Sequence, residues 1–168
     1  ILADFMTIKE KKKKLKGLKI AWIGDGNNVC NSMIYGAGLA GVKMSIATPK
    51  GFEPDKTAIK ETKKTTDIEL TTDPYLATKN ADVVVADTFS SIHNLDKKRL
   101  KKFLPKYQVN DKLMQSAKKD AIFLHCLPAK REQEVTSSVI DGPQSVVWEE
   151  AEKRLHTLKA LLAALIRA

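Results

Sequence analysis

Cysteine is scarce in this chain: Cys30 and Cys126 are the only two in 168 residues. They lie far apart and form no CxxC pair, which argues against a disulfide framework and against a zinc site. Reduced thiols in a reducing compartment are expected, and with them a cytoplasmic location. Long apolar runs are also missing. None approaches the roughly 20 residues needed to span a bilayer, and the opening ILADFMTIKE lacks a basic stretch followed by an apolar core, so neither a membrane partner nor a secretory leader is expected. Arginine is the third scarcity: of 29 basic residues only 4 are Arg. The lysine runs KEKKKKLK (9–16), KKTT (63–66) and DKKRLKK (96–102) carry no interleaved aromatic residues. Arginine forks and stacking platforms, the usual tools of nucleic-acid recognition, are therefore absent, and the formal net charge of +9 reads as solvated lysine-rich faces. No nucleic-acid partner is expected. Repeats and long linkers are lacking too. With 43% hydrophobic and 29% charged positions, residues 1–168 read as one globular domain, able to bury roughly 70% of its unfolded surface without metal or disulfide staples.

What is present is an alternation. Apolar runs at 18–24, 43–49, 81–88, 121–126 and 145–148 read as strands, with 67–73 a weaker sixth. Their near-continuous Val, Ile and Ala content points to strands covered on both faces, as in a parallel sheet. Helical patterns lie between them, at about 27–41, 54–64, 96–103, 110–118 and 131–138. A last helix from Glu149 towards Arg167 places Ala151, Leu155, Leu158, Leu161, Leu162 and Leu165 on one broad face. The expected architecture is an α/β fold: a doubly wound, Rossmann-like, mostly parallel sheet with helices on both faces. The opening helix and the apolar closing one look unfinished, as if cut from a larger protein or docked elsewhere, and self-association through these terminal helices is one way to cover them.

In such folds ligands bind beyond the carboxyl ends of the strands, where the strand order reverses. After the first strand stands Gly24-Asp25-Gly26-Asn27-Asn28-Val29, a loop entering a helix, suited to meeting an anionic group with backbone N–H groups. A dinucleotide fingerprint would need glycine where Val29 stands, and an acidic residue after the second strand where Ala47-Thr48-Pro49 stands. No nicotinamide cofactor is expected, and none of any other kind. The loop is then either a tight turn capped by Asn27 or Asn28, or the seat of a ligand-contacting asparagine. Asp87 follows the apolar run Val83-Val84-Val85-Ala86, and a carboxylate there must either cap a turn or face a cleft and take an amine. His125-Cys126-Leu127-Pro128 closes the fifth strand, a reactive-looking cluster whose thiol could equally be an inert small hydrophobe and whose X-Pro bond could be cis. Arg154 could hold a phosphate bidentately, although a surface salt bridge is the ordinary role of such a residue.

In order along nearly the whole chain, Leu2-Ala3-Asp4-Phe5-Met6-Thr7-Ile8, Gly24-Asp25-Gly26-Asn27-Asn28, Ala47-Thr48-Pro49-Lys50-Gly51-Phe52-Glu53-Pro54, Asp87-Thr88, His125-Cys126-Leu127-Pro128 and Glu150-Ala151-Glu152 resemble the ornithine carbamoyltransferase family. The resemblance covers only that family's second, ornithine-binding half. The upstream carbamoyl-phosphate domain, with its Ser-Thr-Arg-Thr loop and His-Pro-x-Gln segment, is not among these residues. The resemblance implies that the δ-amine of ornithine attacks the carbonyl of carbamoyl phosphate to give citrulline and phosphate, without metal or covalent intermediate. It implies that Asn28 holds the amino-acid end of ornithine, that Asp87 and Cys126 orient and help deprotonate the amine, and that Ser91 reaches ornithine from a lid. The Leu127 carbonyl would receive the carbamoyl amide, Arg154 would meet carbamoyl phosphate, and His125 would join the catalytic group. A carboxylate and a thiolate beside an amine nucleophile fit its need for a free lone pair.

The chain departs from the family pattern at three places. Ser-Met-Gly appears as Ser91-Ile92-His93, so a restricted residue replaces a permissive glycine in the lid. Glu-Asn-Arg has become Glu152-Lys153-Arg154, and Lys130 stands where a histidine usually follows Leu-Pro-Ala. The expectation is an ornithine-binding domain, excised or engineered, that binds ornithine weakly and meets carbamoyl phosphate only alongside the missing half. The rival expectation is a redesigned scaffold or interaction module with a vestigial site.

Overall fold

The alternate residues of the inner strands divide between two apolar layers, and that division builds the molecule. The computed structural model describes residues 1–89 and 96–166. Five strands, β1 (Lys19–Ile23), β2 (Lys43–Ala47), β3 (Ile68–Thr71), β4 (Val83–Ala86) and β5 (Ile122–His125), pair in the order β3-β2-β1-β4-β5. All four pairings are parallel. Ile20, Trp22, Val83, Val85 and Leu124 pack on one side with Ile8, Met33, Ile34 and Ile59. Ala21, Ile23, Val84, Ala86 and Phe123 pack on the other with Phe89, Phe103, Leu113 and Ile140. Side chains that alternate about a pleat reach both layers only if helices cover both faces, as the run of apolar residues predicted.

The first layer is supplied by α1 (Leu2–Lys12), α2 (Asn28–Ala40) and α3 (Lys56–Thr62). The second is supplied by α4 (Pro74–Thr78), α5 (Lys97–Phe103), α6 (Asp111–Met114) and α7 (Ser137–Ile140). The long α8 (Val147–Ile166) packs its first turns against α1 and β5 and then leaves the body. The chain lays down β1, β2 and β3 in one direction and then returns to place β4 on the other side of β1. The crevice between the carboxyl ends of β1 and β4 is therefore the switch point.

Three elements differ from the sequence reading. Residues 145–148 form no strand: Ser145 makes one isolated parallel bridge with Phe123, while Val147 and Trp148 already belong to α8. Glu149 and Glu150 in that first turn favour helix at its positive end. Residues 131–136 are irregular rather than helical. Glu132 has φ 63°, which breaks a helix, and Val135 bridges Val109 and Arg131 instead. The helix expected at 110–118 shrinks to the four residues of α6. The weak strand at 67–73 is a full edge strand, and α4, unanticipated, starts from an Asp73 cap followed by Pro74 at a position where proline's missing N–H costs nothing.

Candidate functional site

The loop after β1 is shaped by two glycines. Gly24 has φ 131°, and a Cβ on Gly26 would lie 2.3 Å from the Pro54 nitrogen. Gly26 N–H instead donates to the Phe52 carbonyl at 2.8 Å, which draws the β1 and β2 loops together. That contact leaves the loop as a turn held by its neighbour. Asn27, not Asn28, is the cap: its Oδ1 accepts from Val29 N at 3.0 Å and Cys30 N at 3.1 Å. Its Nδ2 donates to Asp87 Oδ2 at 2.7 Å. One amide thus ties the start of α2 to the end of β4.

Asp87 is buried, and three donors converge on it. Besides Asn27, Thr88 N donates to Oδ1 at 2.7 Å and the Cys126 thiol donates to the same oxygen at 3.0 Å. Of the two roles the sequence reading left open the carboxylate takes the first, capping its own turn, and it lies at the switch point without lining either of the two cavities at this edge. The thiolate expected at Cys126 is corrected: burial first, and then the Asp87 charge beside it, push that thiol up, so it remains an S–H donor at neutral pH. Cys30 is fully buried under α2, and its thiol too is raised, chiefly by burial. Both cysteines are free.

His125 is buried, and it lines neither of the two cavities at this edge. Its Nδ1 accepts from Leu127 N at 3.0 Å, so the ring hydrogen belongs on Nε2, which lies 3.4 Å from Glu134 Oε1. Leu127 is held at φ 51°, a left-handed conformation that costs a branched residue on the order of 1–3 kcal/mol, and the His125 contact pins it there. The Leu127-Pro128 peptide is cis. His125 thus acts on the backbone of the next turn and does not reach the cleft.

One cavity, of about 330 Å³, is lined by Asn28, Cys126, Leu127 and Arg154 together with Asp4 and Glu150. A second, of about 640 Å³, shares Cys126, Leu127 and Arg154 and extends past Pro128 to Trp148 and Arg131. Four sequence-derived candidates therefore meet in one place, and Asp87 stands behind Cys126. The Arg154 guanidinium makes no ion pair among the described residues, contrary to its ordinary surface role. Ser91, and with it Ile92, His93 and Asn94, lies outside the described residues.

The sequence reading missed several residues. Asp4 and Glu150 are both buried, and Glu150 Oε2 accepts the His125 backbone N–H at 2.9 Å. Burial, and next the charge of Asp4, hold the Glu150 carboxyl well above its ordinary range. Arg99 on α5 pairs with Asp25, donates from Nε to the Phe89 carbonyl at 2.7 Å and lies 4.8 Å from the Phe52 ring centre. Burial raises Asp25 while Arg99 opposes the rise. The available signals were single polar residues on apolar faces, at positions 4 and 150, and a rare arginine within a lysine run.

Comparison with known proteins places the fold in a family. A family model described as aspartate/ornithine carbamoyltransferase, Asp/Orn binding domain, matches residues 16–165. The ornithine carbamoyltransferase of Cenarchaeum symbiosum is 61% identical over 165 residues, covering 98% of this chain and 55% of the relative. That of Methanocaldococcus jannaschii is 48% identical over 168 residues, covering 96% and 55%. Among solved structures, ornithine carbamoyltransferase from Pyrococcus furiosus superposes with a TM-score of 0.90 at 46% identity, covering 96% of this chain and 54% of that one. The Thermus thermophilus enzyme superposes at 0.89 with 43% identity, covering 98% and 53%. The chain spans about half the length of the curated relatives it matches.

Proposed function

The chain belongs to the aspartate/ornithine carbamoyltransferase family, as its Asp/Orn-binding domain, and from that premise we propose that the cleft at the switch point is an ornithine site. The observation that carries the reading is the convergence of Asn28, Cys126, Leu127 and Arg154 on one cavity of about 330 Å³, with Asp87 hydrogen-bonded to the Cys126 thiol behind it. Asn28 holds the amino-acid end. Asp87 supplies the negative charge that orients the amine and draws off its proton, and the Cys126 thiol fixes the carboxylate by donating to it. The Leu127 carbonyl accepts from the carbamoyl amide, with His125 as the positioning residue that fixes its turn. Arg154, free of other partners among the described residues, meets the phosphate-bearing reactant. Ser91 contributes from beyond the described residues.

The reaction is attack of the δ-amine lone pair on the carbonyl carbon of carbamoyl phosphate. A C–N bond forms, the C–O bond to phosphate breaks, and citrulline and phosphate result. Rate comes from holding the two reactants in register and from charge stabilisation. Residues 1–168 supply the ornithine half of that arrangement, and the carbamoyl-phosphate half belongs to the part of the relatives' length that this chain does not span. The chain alone with both substrates therefore produces no citrulline above the uncatalysed background. Ornithine nevertheless shifts the amide resonances of Asn28, Asp87 and Cys126 at high ligand. Robust citrulline production overturns the division of labour, and unmoved resonances overturn the site.

A further inference from the structure

Glu150 and Arg154 stand one turn apart on α8 with the acid on the N-terminal side, the favourable order for an ion pair along a helix face. Both line the cavity of about 330 Å³. Yet no pair forms. Arg154 is exposed and has no charged partner among the described residues, whereas Glu150 is buried with its carboxyl turned inward. Its Oε2 accepts the His125 N–H at 2.9 Å, and Asp4 of α1 lies within hydrogen-bond reach of it. Two buried carboxyl groups in contact share a proton, because ionising both would set like charges side by side out of water.

The groups around the pair leave that proton in place. From α1 comes Asp4 itself, with the Ile1 amine 3.6 Å from its Oδ2 as an opposing positive charge. From β5 comes the His125 N–H, the ring being turned to Leu127 N and Glu134, and beyond it the Cys126 thiol, which keeps its own proton. From α2 come Asn28 and Ser32, both uncharged. On α8, Glu149 pairs with Lys11 and Lys153 with Glu10, which leaves Arg154 as the α8 cation that shares the cavity. We propose that Asp4 and Glu150 are positioning residues for Arg154: the proton they share withholds from the guanidinium its partner on its own helix, so that it stays open to the phosphate-bearing reactant. The inference rests on the reading above in which Arg154 meets that reactant. Burial, and then the Asp4 charge, raise Glu150 to about 9, so the open arrangement holds through neutral pH and is lost as pH rises towards that value. There the ionised carboxylate draws Arg154 to itself and repels an anion in the same cavity.

Carbon-13 spectra of the full chain test it, since only 4 arginines share the guanidinium region. Titrated upward from neutral pH, the Arg154 Cζ resonance shifts with an inflection near pH 9, in step with the Glu150 carboxyl carbon. In Glu150→Gln, which keeps the acceptor for His125 N–H, the Arg154 inflection vanishes. In Asp4→Asn it moves to lower pH, because the neighbouring charge is gone. Inorganic phosphate, a dianion through most of this range, moves the Arg154 resonance at about pH 7.5. At about pH 9.5 its affinity for the wild type falls roughly threefold further than its affinity for Glu150→Gln, in which nearby lysines titrate equally. An Arg154 resonance without the inflection, or with the same inflection in Glu150→Gln, overturns the proposal alone, and so does phosphate affinity that falls equally in both proteins. Phosphate that leaves Arg154 unmoved at about pH 7.5 overturns the reading of Arg154 and the proposal with it, so the two failures are told apart.

Discussion

At the scale of the residue, Asp87 governs its neighbours. A buried carboxylate with three donors organises the Asn27 amide, its own turn and the Cys126 thiol, and the energetic consequence of removing it is the orphaning of those donors, about 1–3 kcal/mol each if they remain buried. Cys126 is held above its ordinary 9.0 by burial and then by the Asp87 charge. Asp87→Asn removes the second cause, so the thiol's apparent pKa falls and alkylation by iodoacetamide at pH 8, followed by mass spectrometry, speeds up. Unchanged kinetics would show that the two groups are uncoupled. The Asp87 position was legible in the sequence, because a charge after four apolar residues needs a reason. The protonation of the thiol was not, because it depends first on burial in the folded chain and then on a neighbour 39 residues away.

Elements meet through a buried acidic pair. Asp4 of α1 and Glu150 of α8 lie together, and Glu150 also accepts from the backbone of β5. Because the folded-state pKa of Glu150 is raised above its ordinary 4.5, the folded protein binds more protons than the unfolded chain above that pH. The stability from the protonated carboxyl is complete below about 4.5 and is lost as pH rises towards the folded value. Glu150→Gln keeps an acceptor for His125 N–H and has no charge to lose. Urea melts from pH 5 to 8 should therefore show the wild type weakening and the variant nearly flat, with the variant the more stable at pH 8. Parallel slopes would sink the assignment. The α8 helix was readable from its periodicity and the opening segment ILADFMTIKE was expected to be helical, whereas their acidic contact was hidden, since no spacing rule relates positions 4 and 150.

For the whole molecule, the charge of +9 is spread among lysines on many elements, several of them engaged locally. Lys12 pairs with Asp120, Lys118 with Asp82 and Lys43 with Asp67. Fluorescence anisotropy with a DNA duplex should show no binding at about 150 mM salt, where diffuse charge is screened and few counterions are released. Saturable binding there, falling steeply with added salt, would reveal a concentrated basic face. No described helix is long and apolar enough to cross a membrane. The sequence by itself determined the parallel α/β class and the residues at the strand tips, because burial on both faces and turn chemistry leave local marks. Only the tertiary structure decided that Asn27 caps while Asn28 lines the cavity, that His125 turns inward to Leu127, and that residues 145–148 open a helix. Those outcomes depend on which partners the folded sheet brings within hydrogen-bond reach, and such partners are distant along the chain.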